Sequence, residues 1–165
     1  MSDPVHDSLR TMGRFTLFAL ALLTTGTASV ALAHGWPGRP QTNPPRLSEV
    51  GPPPAWVETR QRSRWLSFSS YCWRGTKAIC VDMAPVQERT ELGTLRAARG
   101  HALRLHLGFR PREAHLTVYR GFRFTHYRLQ PARVMTWRVR AFGVVVLDVK
   151  APAGTASYAI RLRAR

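Results

Sequence analysis

The sequence predicts an all-β protein, a two-sheet sandwich of about seven to nine short strands, and three observations predict it. From Ala55 onward apolar residues recur with period two, the runs are short and set off by Gly and Pro, and helical periodicity is scarce. Side chains alternate between the two faces of a strand, so each such run buries one face and wets the other.

Taken in chain order, the first element is a leader. Phe15 to Ala33 is a 19-residue stretch without charge, preceded by Arg10 and Arg14 and closed by Ala31-Leu32-Ala33 ahead of His34. That layout is a signal peptide over residues 1–33. Thr24, Thr25, Gly26, Thr27 and Ser29 weaken the apolar run, which favours cleavage near Ala33 over retention as an anchor. Met12 offers an alternative start, and the junction has no cysteine, which argues against a lipoprotein. The expected location is secreted or associated with the cell envelope.

Residues 34–54 hold seven prolines and three glycines, with Leu47 and Val50 among the few aliphatics. So little apolar surface cannot offset ordering, and the segment reads as a disordered linker before a β-sandwich domain over residues 55–165. Strands are expected over Ala55 to Arg60, Arg64 to Ser70 and Ile79 to Asp82, and then near residues 103, 116, 125, 136, 145 and 160. In these runs Leu103, Leu105 and Leu107 alternate with Arg104 and His106, and Met135, Trp137 and Val139 with Thr136, Arg138 and Arg140. Val144 to Val149 is nearly continuous in apolar residues, as in a central strand covered on both faces. Only Pro85 to Arg99 offers room for a turn or two of helix. The spacing suits a sandwich of immunoglobulin or fibronectin type, with a small barrel as the alternative.

Cys72 and Cys80 are the only cysteines, and export would carry them to an oxidising compartment, so a disulfide is the simplest outcome. It would staple the loop from Trp73 to Ile79. Strict alternation would put Leu66, Phe68, Ser70 and Cys72 on one face, with the sulfur at the core edge. Ser70-Tyr71-Cys72-Trp73, then Cys80-Val81-Asp82, then a strand ending Leu107-Gly108-Phe109-Arg110-Pro111 resemble a loose group of small exported bacterial β-sandwich proteins of unknown function. The resemblance covers roughly residues 55–165. It implies an exported sandwich and supplies no catalytic residues.

The formal charge is +16. The leader holds two bases and two acids (Arg10, Arg14, Asp3, Asp7), so of 25 bases and 9 acids the remainder keeps 23 and 7. Only Lys77 and Lys150 are lysines. Guanidinium pairs bidentately with carboxylate and phosphate, so anionic partners are favoured. Strand alternation turns Arg138 with Arg140, and Arg161 with Arg163 and Arg165, outward as candidate anion-binding residues. Arg120, Arg123, Arg128 and Arg133 add to them, with Tyr119, Phe122, Phe124 and Tyr127 interleaved. Outside the cytoplasm the expected partners are anionic cell-wall polymers or membrane headgroups, and no nucleic acid is expected.

Enzymatic constellations are few, and no cofactor is expected. There is no G-x-S-x-G, no H-x-x-x-H and no Cys/His cluster, so neither a hydrolytic triad nor a zinc site is indicated. His106 and His115 read as solvent-facing strand positions. Asp82 and Asp148 flank apolar residues among many arginines and read as salt-bridged structural carboxylates. The alternative to a noncatalytic module is a copper-binding oxidative enzyme built on His34. Cleavage after Ala33 would expose His34, whose amine and ring nitrogen can chelate copper with a second histidine among His101, His106, His115 and His126. That start resembles the lytic polysaccharide monooxygenases, although those begin directly in a strand and here a proline-rich segment follows.

Overall fold

The computed structural model describes residues 35–45 and 50–165. The expected signal peptide, its expected cleavage site and His34 lie outside the described residues. Eleven strands and no helix are found among the described residues. In order they are β1 (Ala55–Glu58), β2 (Ser63–Trp65), β3 (Ser67–Arg74), β4 (Ala78–Val81), β5 (Thr94–Ala97), β6 (Ala102–Leu107), β7 (Glu113–Arg120), β8 (Arg123–Arg128), β9 (Val134–Arg138), β10 (Gly143–Ala151) and β11 (Gly154–Ala164).

They form two sheets, one ordered β2-β1-β6-β9 and the other β4-β3-β11-β10-β7-β8, with β5 alongside β11. All pairings are antiparallel except that of β5 with β11. The inward residues are those the alternation predicts: Leu103, Leu105 and Leu107 of β6, Met135 and Trp137 of β9, Leu116 and Val118 of β7, and Tyr158, Ile160 and Leu162 of β11. Each such side chain taken from water stabilises the fold by about 1.5–3 kcal/mol, so the space between the sheets is the main cohesive element.

Two strands exceed the expected number, each for a local reason. The run read as one strand from Arg64 breaks at Leu66, which is buried and whose N–H donates to the Ala55 carbonyl at 2.9 Å. There the chain leaves the first sheet and enters the second. The other addition is β5, in the stretch that offered room for a turn or two of helix. Leu95 and Ala97 alternate inward against exposed Thr94 and Arg96, so pairing with β11 buries what a helical turn would leave at the surface. Glu88 N–H to Pro85 O, at 3.0 Å, closes only a turn.

The β4–β5 connection crosses the outer face of the second sheet and sets Val86 and Leu92 against Val144, Val146 and Ala159. Val145, Leu147 and Val149 meanwhile face the main core. The continuous apolar run of β10 is thus covered on both sides, as its composition predicts.

Residues 34–54, expected to be a disordered linker, are irregular where described but packed. Pro40 and Pro52 are buried, and the Tyr158 hydroxyl donates to the Pro53 carbonyl at 2.8 Å. Proline prevents strand pairing here by removing N–H donors, yet its ring still packs on a formed sheet. Aliphatic content underestimated the segment because its contacts are made by tryptophan, proline and backbone groups.

Candidate functional site

The disulfide joins Cys72 and Cys80, which are register partners on β3 and β4 with Cα atoms 4.0 Å apart. It lies at the surface and not at the core edge, because β3 carries a bulge. Tyr71 pairs with Ala156 and Phe68 with Tyr158, so Ser69 and Ser70 together oppose Ser157 alone. One extra residue reverses the facing of everything beyond it. Tyr71 and Trp73 therefore turn inward, and Cys72 turns out.

The five candidate arginines lie in three places. Arg138 is on the outer face of the first sheet, where its Nη1 donates to the Gly100 carbonyl at 3.4 Å. Arg140 lies 6.0 Å over the Tyr127 ring, at the side where β8 and β9 meet through Tyr127 and Trp137. Arg161 and Arg163 face outward from the second sheet, and Arg165 ends the chain beyond them. Arg161 is partly engaged, its Nη2 donating to the Arg89 carbonyl at 3.0 Å. The structure therefore spreads these residues over both faces instead of gathering them in one patch.

What unites them is the scarcity of counter-charge. Among the described residues only Arg89 and Arg104 bring a guanidinium to a carboxylate, and only Lys150 does so among the lysines. Asp82 and Asp148, expected in salt bridges, instead accept from the hydroxyls of Ser70 (2.7 Å) and Ser157 (2.5 Å). Between Glu113 and Asp148 the sequence has six arginines and no acid. A cleft of about 280 Å³ beside the first sheet gathers Arg60, His101 and Arg138 against Trp36. It pairs cationic donors with one aromatic wall, the chemistry that holds an anionic group attached to a ring.

The same sheet bears a constellation that sequence reading missed. Glu58 is only 2% exposed, and its Oε1 lies 2.8 Å from His106 Nε2 and 4.0 Å from Arg104. The His106 ring stacks on Trp56 at 4.3 Å, with Trp65 edge-on beyond it. Residues 35–45 run over this face as a strap. Gly38 N–H donates to Glu58 Oε2 at 2.9 Å, and Trp65 Nε1 donates to the Thr42 carbonyl at 2.7 Å. Arg104 lies over the Trp36 ring and Arg39 over that of Trp65. His106 is therefore mostly covered, where a solvent-facing residue was expected. The missed signal was Trp56 at an outward strand position, which calls for a cover.

Among the described residues the remaining histidines do not converge. His115 and His126 face outward on the second sheet, and His126 Nδ1 is 2.8 Å from the Thr117 hydroxyl. No group of three metal-ligating side chains occurs among the described residues. The arrangement offers many unpaired cationic donors and one carboxylate already engaged on three sides. Compared with protein families, with curated proteins and with solved structures, the chain finds no match.

Proposed function

We propose that this chain is an exported, noncatalytic β-sandwich module of immunoglobulin or fibronectin type, held at the cell envelope by association with anionic polymers. The observation that carries the reading is the large set of arginines that, among the described residues, have no carboxylate partner, on both faces of the sandwich. Such a surface attracts polyanions from several directions without needing one shaped pocket. The surface disulfide suits an oxidising location outside the cytoplasm.

The test is retention on purified anionic wall polymer at about 0.05 M and about 0.5 M salt, across which the screening length shrinks about threefold. Firm retention at the lower salt and release at the higher is expected. Retention indifferent to salt would end the proposal. Arg138→Glu combined with Arg163→Glu, one change on each outer face, should weaken retention more than either alone.

A further inference from the structure

The β7–β8 hairpin closes through the two-residue turn Gly121-Phe122, between the register partners Arg120 and Arg123. Gly121 has φ +60°, the positive value that so tight a turn requires at its first central residue. A Cβ built on it meets nothing within 4 Å, so the tip stands clear of the rest of the protein. Phe122 is wholly exposed there, and Phe124, two residues on, is 59% exposed. Phe124 faces outward beside Tyr119 and His126, with ring centroids 6.0 and 5.0 Å away.

The core is closed without these rings, so packing does not account for them. Around the rings the charge has one sign. Arg120, Arg123 and Arg128 are exposed on the hairpin, and the hairpin beyond Glu113 has no acid. A rung of a strand advances about 3.4 Å, so Arg120 and Arg123 sit one step behind the phenyl ring at the tip.

We propose that this hairpin is a membrane-docking wedge. Phe122 enters the acyl boundary of an anionic bilayer with Phe124 behind it, while the Arg120 and Arg123 guanidinium groups hold lipid phosphates at headgroup level. Interfacial elements bury their apolar side by about 5–10 Å, a depth that the tip residue and the next rung supply. The proposal goes beyond the polyanion reading, because a hydrated polymer offers a bare phenyl ring nothing to enter. A second copy is disfavoured, since pairing along the free edge of β8 would oppose its own arginines.

The experiment uses the exported form of the protein with vesicles of phosphatidylcholine alone or with about 30% phosphatidylglycerol, the anionic lipid supplying the surface potential that draws basic segments. Flotation should recover the protein only with the anionic vesicles. Phe122→Trp should add a blue-shifted emission, quenched by brominated acyl chains, above the background of the five native tryptophans. Phe122→Asp should weaken vesicle binding by roughly tenfold or more, the loss expected from unburying one phenyl ring, with the thermal midpoint unchanged.

An unquenched tryptophan at 122 on bound vesicles, Phe122→Asp binding as tightly as the parent, or absence of vesicle binding would each overturn the wedge. A concentration-dependent dimer abolished by Phe122→Asp would overturn it in favour of self-association. Polymer retention measured on the same variants separates the two readings. Phe122→Asp should leave it unchanged, and its failure in the parent protein would count against the polyanion proposal alone.

Discussion

Oε1 of Glu58 lies 2.8 Å from Nε2 of His106, while its Oε2 accepts the Gly38 N–H at 2.9 Å. The carboxylate thus joins two adjacent strands to a segment about twenty positions upstream. A carboxylate removed from water is tolerated only when its oxygens are engaged, and here donors from the sheet and from the strap engage them. The strap depends on the sheet in turn, because proline-rich backbone has few partners of its own.

Glu58→Ala should therefore loosen the strap and lower global stability by about 2 kcal/mol, the usual worth of hydrogen bonds to a charged group. Hydrogen exchange at the Gly38 amide should rise in step. Glu58→Gln, which keeps an acceptor for Gly38, should lose less. Unaltered exchange in Glu58→Ala would mean that the Trp65–Thr42 hydrogen bond and the packing of Trp36, Arg39 and Pro40 hold the strap without the carboxylate.

Replacing both Cys72 and Cys80 with Ser should cost about 2.5 kcal/mol, the chain-entropy value for so short a loop. Both cysteines are exposed, so the change opens no cavity. Denaturant midpoints should fall, while near-ultraviolet dichroism of the native state stays the same. A lost native signal would instead show that β4 needs the bond to stay paired.

The interior was legible in the sequence because each inward residue announces itself by period two. Leu103 to Leu107 and Met135 to Val139 required no knowledge of their partners. The facing of Cys72 was not legible, since the bulge at Ser69 and Ser70 is defined only by pairing with Ser157 on a strand nearly ninety positions later. Glu58 and His106 were hidden for the same reason, because only the register of β1 with β6 makes them neighbours. The arginine surplus was plain in the composition, but its division between two outer faces followed from sheet order.

Gly154→Ala should be among the most damaging single changes. Its φ is +142°, and an added Cβ would come to 2.0 Å from the Cys72 carbonyl oxygen. Backbone strain and the clash act together, so a loss of about 3 kcal/mol or more is expected. Gly121→Ala, with positive φ but open space, should cost only about 1 kcal/mol. Thermal unfolding of the two variants side by side checks the ordering.

Tyr158 gives the fold an alkaline limit. Its side chain is fully buried and its hydroxyl donates to the Pro53 carbonyl, and burial pushes the phenol well above its ordinary range. The unfolded chain releases this proton near pH 10, while the folded chain retains it. With more protons bound in the native state, stability falls as pH rises. The contribution is complete below about pH 10 and is lost progressively above it. Tyr158→Phe should cost about 1 kcal/mol at neutral pH, through the unpaired Pro53 carbonyl. Denaturant midpoints of both proteins from pH 8 to pH 11.5 should draw together above about pH 10 and cross before the alkaline end, because the phenylalanine variant has no proton to lose there. Parallel curves would show that Tyr158 ionises in the folded protein as readily as in the unfolded chain.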